Sequence, residues 1–213
     1  MPLNSWTRIA EAGWLSRDCL TPFVEVALRQ EQHKHCQSLN ELAEQKPIQL
    51  ILPAFSLAEP YETQVRRAKN RKQLSDDLTR EVGQLRRSLP YREYAATFQE
   101  VTSLLVRSQE EERQRLHDTT QRITASGEVV PLTGRILIDA IKVQQTLDLS
   151  PQDAIVYTSV ETHLENAAEG PSCFLNRNSK DFGDPDIVDS LASKGCRILF
   201  DFTDGFDYVT SQI

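Results

Sequence analysis

The chain of 213 residues has no surplus of basic charge: 24 Lys and Arg stand against 31 Asp and Glu, for a net charge of −7. That excludes a generally basic nucleic-acid binder. It leaves room for a local basic patch, because binding depends on where the charge sits. Cysteine is scarce, and Cys19, Cys36, Cys173 and Cys196 show no C-x-x-C spacing, which argues against a zinc site. Isolated cysteines on apolar segments suit a reducing cytoplasm better than a disulfide framework, so a cytoplasmic protein is expected. No apolar run approaches the ~20 residues of a membrane span. Met1 to Trp14 is polar and mixed in charge, unlike a signal peptide. The chain carries neither a G-x-S-x-G elbow nor a P-loop, which removes two common catalytic frameworks. Internal repeats and low-complexity tracts are absent as well.

What is there reads as a single domain over 1–213, with residues 1–13 as an N-terminal extension. Hydrophobic residues at 39% and charged residues at 26% are the proportions of an ordinary soluble domain able to bury a core. Asn4 to Ala12 is expected to form a short helix, with Asn4 or Ser5 as its cap. Thr21-Pro22 reads as a cap followed by proline at the first helical position. The helix after it carries Phe23, Val26, Ala27, Leu39 and Leu42 on one side and ends at Pro47. Ile48 to Leu52 is a short apolar run of the kind buried strands show. Two long helical stretches follow. Val65, Leu74, Leu78, Val82, Leu85 and Leu89 form the apolar stripe of the first. Tyr94, Phe98, Val101 and Leu105 form that of the second, over about Tyr91 to Thr119. Together they predict a helical hairpin over 61–119.

Thr124 to Thr133, with Gly127 and Pro131, is expected to be a loop, and Leu132 to Leu147 a helix. Ser150-Pro151-Gln152-Asp153 is a strong helix start, with Ser as cap, Pro first and Asp closing a capping box. That helix should run to about Ala168. Ser172 to Leu175 is a second strand. Asp184 before Pro185 caps a further helix that ends at Gly195, and Arg197 to Phe202 is a last strand. Strands separated by helices imply parallel pairing, and in parallel sheets sites gather at the carboxyl ends of the strands.

Three carboxylates from distant parts of the chain point to that edge: Glu59 after the first strand, Asp153 in the first turn of a helix, and Asp181 after the second strand, together with Asn178. Crowded carboxylates repel one another, and a divalent cation relieves the repulsion. Mg²⁺ and Mn²⁺ take hard oxygen ligands and keep waters able to attack a phosphodiester. Each residue also has a structural reading. Asp153 completes a capping box, Glu59 favours the helix macrodipole, and Asn178 and Asp181 suit a turn. Arg66, Arg67, Lys69, Arg71 and Lys72 could track an RNA backbone or be a solvated helix face. Arg177 and Lys180 flank the second-strand motif and join Arg66, Arg67 and Lys69 as candidate RNA contacts.

On these residues the chain resembles the PIN-domain family. Ile51-Leu-Pro-Ala-Phe-Ser-Leu-Ala-Glu59 is similar to that family's strand and second acidic residue. Ser150-Pro-Gln-Asp-Ala154 is similar to its L-S-x-x-D-A site, and Phe174-Leu-Asn-Arg-Asn-Ser-Lys-Asp-Phe182 to its T-R-N-x-K-D-F strand end. The resemblance implies an α/β protein, a three-layer α/β/α sandwich with a central parallel sheet, here with the long hairpin inserted. It implies a Mg²⁺- or Mn²⁺-dependent endoribonuclease acting on RNA, with Asp18, Glu59, Asp153 and Asp181 as metal ligands and Asn178 assisting. Many small members are toxins of toxin–antitoxin pairs; homodimerisation is compatible with the family, whereas an antitoxin-like partner has no sign of its own in the sequence. The family's opening Asp-x-Asn strand has no clean match, and Asp18 is the only aspartate in the corresponding stretch. An alternative follows: a PIN-like module that binds RNA or protein without cleaving.

Overall fold

The computed structural model describes residues 10–11, 22–167 and 170–213. It is a mixed α/β structure, mostly helical, with a small parallel sheet. In chain order the elements are β1 (Ala10–Glu11), α1 (Pro22–Leu28), α2 (His33–Gln45), β2 (Gln49–Pro53), α3 (Ala54–Leu85), α4 (Tyr94–Ser126), β3 (Glu128–Val130), α5 (Gly134–Leu147), α6 (Pro151–Asn166), β4 (Ser172–Leu175), α7 (Ser179–Phe182), α8 (Pro185–Ser193), β5 (Cys196–Leu199) and α9 (Phe202–Ser211). The strand order is β3-β2-β1-β4-β5, and every pairing is parallel. Parallel pairing follows from the helical crossovers between strands.

Side-chain alternation along the strands builds a core on each face of the sheet. Leu50 and Leu52 of β2 and Cys173 and Leu175 of β4 join Cys36, Leu39 and Ala43 of α2, Leu116 and Ile123 of α4, and Val209 of α9. Phe174, between Cys173 and Leu175, turns to the other side and packs with Val156, Tyr157 and Val160 of α6 and Ile187 and Leu191 of α8. Gly205 lets α9 lie close on β4: a Cβ there would stand 2.4 Å from a methyl of Leu175.

Several expectations are corrected. Ala10 and Glu11 do not continue a helix; they pair with both β2 and β4 as the middle strand. That slot needs a strand, and tertiary pairing overrides a helical local pattern. The rest of the Asn4 to Ala12 expectation, and Thr21 and Asp18, lie outside the described residues. The single helix expected from Pro22 to Pro47 is two helices, broken where Arg29 adopts a left-handed conformation at φ 52°. Val26, Ala27, Leu39 and Leu42 nevertheless reach the same core. The expected loop at Thr124 to Thr133 is instead the end of α4 followed by β3, which pairs with β2 through Ile51–Glu128, Leu52–Val129 and Pro53–Val130. The last strand stops at Leu199, and Phe202 begins α9, a helix the sequence reading did not assign.

The long helices α3 and α4 lie side by side, held by a two-pronged ion pair from Arg71 to Glu112 at 2.7 and 2.9 Å. The far part of this pair corrects the stripe expected there. Val65, Leu74, Leu85, Leu89, Tyr94, Phe98 and Val101 are exposed, whereas Leu78, Val82 and Leu105 are half-buried. Away from the sheet each helix has the other as neighbour, so one stripe cannot be covered on both flanks. Nearer the body α4 becomes core: Leu116 and Ile123 are buried, Arg115 donates to the Ala27 carbonyl at 2.7 Å, and Arg122 pairs with Glu44. Among the described residues no helix is long and apolar enough to cross a membrane.

Candidate active site

Two strands deliver the acidic residues to the carboxyl edge of the sheet. β2 ends at Pro53 and runs straight into α3, which carries Ser56 in its first turn and Glu59 one turn later. β4 ends at Leu175 and runs into Asn176, Arg177, Asn178 and the short α7. Between them α6 starts at Ser150-Pro151 and presents Asp153.

Asp153 is fully buried, and its two carboxylate oxygens have different fates. The Ser150 hydroxyl donates to Oδ2 at 2.6 Å and accepts from the Asp153 backbone N–H at 3.2 Å. Oδ1 is buried without a hydrogen-bond partner. Ser150 therefore caps α6 as expected, but the Asp153 carboxylate accepts from the Ser150 hydroxyl and not from its backbone N–H, and this uses only one of its oxygens. Burial pushes the Asp153 carboxyl up to about 6; the hydrogen bond from Ser150 opposes this, and the charge of Asp181 adds to it. Burial pushes Glu59 up to about 7, followed by the charges of Asp153 and Glu62, against the pull of Arg66. Glu59 Oε2 is also buried without a partner. The charge of Asp153 is thus felt by Glu59, and that of Asp181 by Asp153. Among the described residues, however, no three of His, Cys, Asp and Glu converge closely enough to hold an ion by themselves.

The Asp181 side is built differently. Asn178 caps α7: its Oδ1 accepts from the Asp181 N–H at 3.2 Å, and its Nδ2 donates to Asp181 Oδ2 at 2.6 Å. Asn176 Oδ1 accepts from the Asn178 N–H at 2.9 Å. Phe182 closes the turn by packing edge-on against Phe174, ring centroids 5.3 Å apart. Arg177 does not point its charge to an open surface. Its Nη1 donates to Glu25 Oε1 at 2.6 Å, and Glu25, fully buried in α1, also accepts from the Gln32 N–H at 3.1 Å. This pair ties the β4 exit to α1, and sequence reasoning missed Glu25. The signal available was one carboxylate between apolar residues, Phe-Val-Glu-Val-Ala.

Of the other candidate cations, Arg66, Lys69 and Lys180 are exposed, and Arg67 is half-buried beside Ala27, Leu28 and Pro60. Arg71 is engaged by Glu112. Asp184 caps α8 through the Asp186 N–H at 2.9 Å, a structural task.

A family model for the PIN domain matches residues 21–182. The chain belongs to the PIN-domain family. Comparison with curated proteins and with solved structures yields no match. The match takes in Glu59, Asp153, Asn178 and Asp181 and ends on Phe182. PIN domains form a nuclease-like family that is generally associated with RNA and usually uses a divalent metal. The residues fit such an ion by two observations. The donors are all hard oxygens. Two buried carboxylate oxygens, one on Glu59 and one on Asp153, lack any partner that would repay their burial, and a buried charge without a partner is costly.

Proposed function

We propose that this protein is a metal-dependent endoribonuclease of the PIN type. The observation that carries the reading is the pair of unpartnered buried carboxylate oxygens on Glu59 and Asp153, both acids raised chiefly by burial and Glu59 further by the charge of Asp153. Mg²⁺ or Mn²⁺ bound at Glu59 and Asp153, with Asp181 and Asn178 at the flank, would supply Lewis acidity and an activated water for phosphodiester hydrolysis. Asp18 is proposed to complete the set from the segment after β1. Ser150 holds one oxygen of Asp153 so that the other is fixed in direction. The Asn178 amide holds Asp181 in the same way. Arg66, which already lowers the cost of charge on Glu59, serves with Lys69 and Lys180 to hold the RNA backbone, since phosphate contacts supply most non-specific affinity. Arg67 is a weaker candidate because it is half-buried. Arg177 serves by position, through Glu25, and not by contact with RNA.

We read the two cores as the inner faces of a three-layer α/β/α sandwich in one domain over 1–213. In this reading residues 1–13 are an extension and 61–119 an inserted hairpin. Buried thiols such as Cys36 and Cys196 suit a cytoplasmic setting.

The test is RNA cleavage. Purified protein with Mn²⁺ is expected to degrade single-stranded RNA, and Asp153→Asn to abolish the activity. Equal behaviour of the two proteins would end the nuclease reading. A second reading, a PIN-like module that binds RNA or a protein without cleaving it, is favoured by the lack of a three-acid group among the described residues. Calorimetric titration with Mn²⁺ separates the two, because the non-cleaving module should take up the ion weakly or not at all.

A further inference from the structure

The oxygens without partners at the end of β2 are not all carboxylates. Ser56, in the first turn of α3, is 0% exposed, and its hydroxyl makes no hydrogen bond. In mid-helix a buried serine can return its hydroxyl to the carbonyl four residues back, as Ser159 does to Ile155 at 2.7 Å in α6. Ser56, the third residue of α3, has no such helical carbonyl, because Leu52 belongs to β2, and its hydroxyl stays without a partner. It sits three residues before Glu59, which places the two on one face of α3. The same turn has a second irregularity: Pro60, buried, has no N–H, so the helical bond that residue 60 would donate to the Ser56 carbonyl is not made. The start of α3 therefore carries one hydroxyl and one carboxylate oxygen that are buried without partners, and α6, which packs against α3, carries a third such oxygen in Asp153 Oδ1.

We infer that Ser56 supplies a hydroxyl oxygen to the cation seat beside Glu59 and Asp153. This rests on the metal-dependent reading above and extends it to a residue that the acidic motifs do not include. A neutral ligand adds no further charge to the carboxylates already gathered there. Small hard cations accept hydroxyl oxygen readily, and the soft ions prefer thiolate.

The full-length protein, its Ser56→Ala, Ser56→Cys and Asp153→Asn variants are titrated with Mn²⁺ and with Cd²⁺ by calorimetry, and the metal-free melting temperature of each is recorded. The inference expects Ser56→Ala to bind Mn²⁺ about tenfold more weakly while melting, without metal, no lower than the wild type. It expects Ser56→Cys to raise the ratio of Cd²⁺ to Mn²⁺ affinity by about tenfold or more, an effect that loss of packing would not produce. If Ser56→Ala loses stability and affinity together, the Cys variant decides: an unchanged ratio overturns the inference. Should the wild type bind Mn²⁺ and Asp153→Asn lose it while both Ser56 variants keep wild-type values, Ser56 is out and the nuclease reading stands. A wild type that takes up no Mn²⁺ removes both.

Discussion

The two arms of the site use the same local chemistry and end in opposite states. At the exit of β4 every polar group named has a partner: Asn176 holds Asn178, Asn178 holds Asp181, and Arg177 is clamped to Glu25. Where α3 meets the start of α6, Asp153 has a comparable cap in Ser150, yet one oxygen on Asp153, one on Glu59 and the hydroxyl of Ser56 are buried with nothing to bond. Asp181, half-buried, is held through Oδ2 by the Asn178 amide. A buried carboxylate with a spare oxygen carries a cost that the fold alone does not repay. The difference separates the two arms although both carry an aspartate three residues after a cap.

Breaking the satisfied arm should have the largest effect. Glu25→Ala leaves the Arg177 guanidinium without its carboxylate in a largely enclosed place and is expected to cost about 3–5 kcal/mol, the range for breaking a buried pair; because Arg177 is about one-third exposed, the lower end applies. Urea denaturation measures it, and a loss below about 1 kcal/mol would mean that the arm is not held by this pair.

Relieving the other arm should do the reverse. In metal-free protein Asp153→Asn is expected to raise stability at pH 8 by about 1–2 kcal/mol, seen as a melting temperature higher by a few degrees. The pH dependence gives the same information in the wild type. Glu59 and Asp153 have folded-state values of about 7 and about 6, above their ordinary 4.5 and 3.8. Below about pH 4 both states are protonated and nothing is lost. As the pH rises the unfolded chain releases its protons first, so metal-free stability should fall between about pH 4 and pH 7. Saturating Mn²⁺ should reverse that slope, because the ion needs the deprotonated acids. A flat metal-free profile over this window would contradict the buried, coupled pair.

The smallest effect concerns what the two arms share. Ser150→Ala removes the cap of α6 and should cost about 1 kcal/mol. It should also free Asp153 Oδ2, the oxygen bonded by Ser150, and so extend the pH-dependent loss to higher pH. Thermal melts at two pH values check both.

Much of the fold is legible in the chain. Ser150-Pro151 and Asp184-Pro185 mark helix starts because proline is tolerated at a first turn and the preceding side chain accepts a backbone N–H; both caps are made. The apolar runs at Gln49–Pro53 and Ser172–Leu175 are strands to within a residue of expectation. β3 was not legible: Glu-Val-Val is too short and too polar at its start to stand out, and it is a strand because it lies along β2. Ala10–Glu11 fails for the same reason, having its partners far away at Gln49–Leu50 and Ser172–Cys173. The stripe of α3 and α4 was legible as helix but not as surface, because periodicity records an apolar side and not whether anything covers it.

By itself the sequence determined the helix starts, the two central strands of the acidic motifs and the family those motifs belong to, because caps, proline and short apolar runs act within a few residues. Only the tertiary structure decided that Asp153 lies within electrostatic reach of Glu59 and Asp181, that Arg177 is spent on Glu25, and that Ser56 is buried with a hydroxyl to spare. Those outcomes depend on how groups far apart along the chain share one low-dielectric space, and neither burial nor an unmade hydrogen bond is a property of a residue's neighbours in sequence.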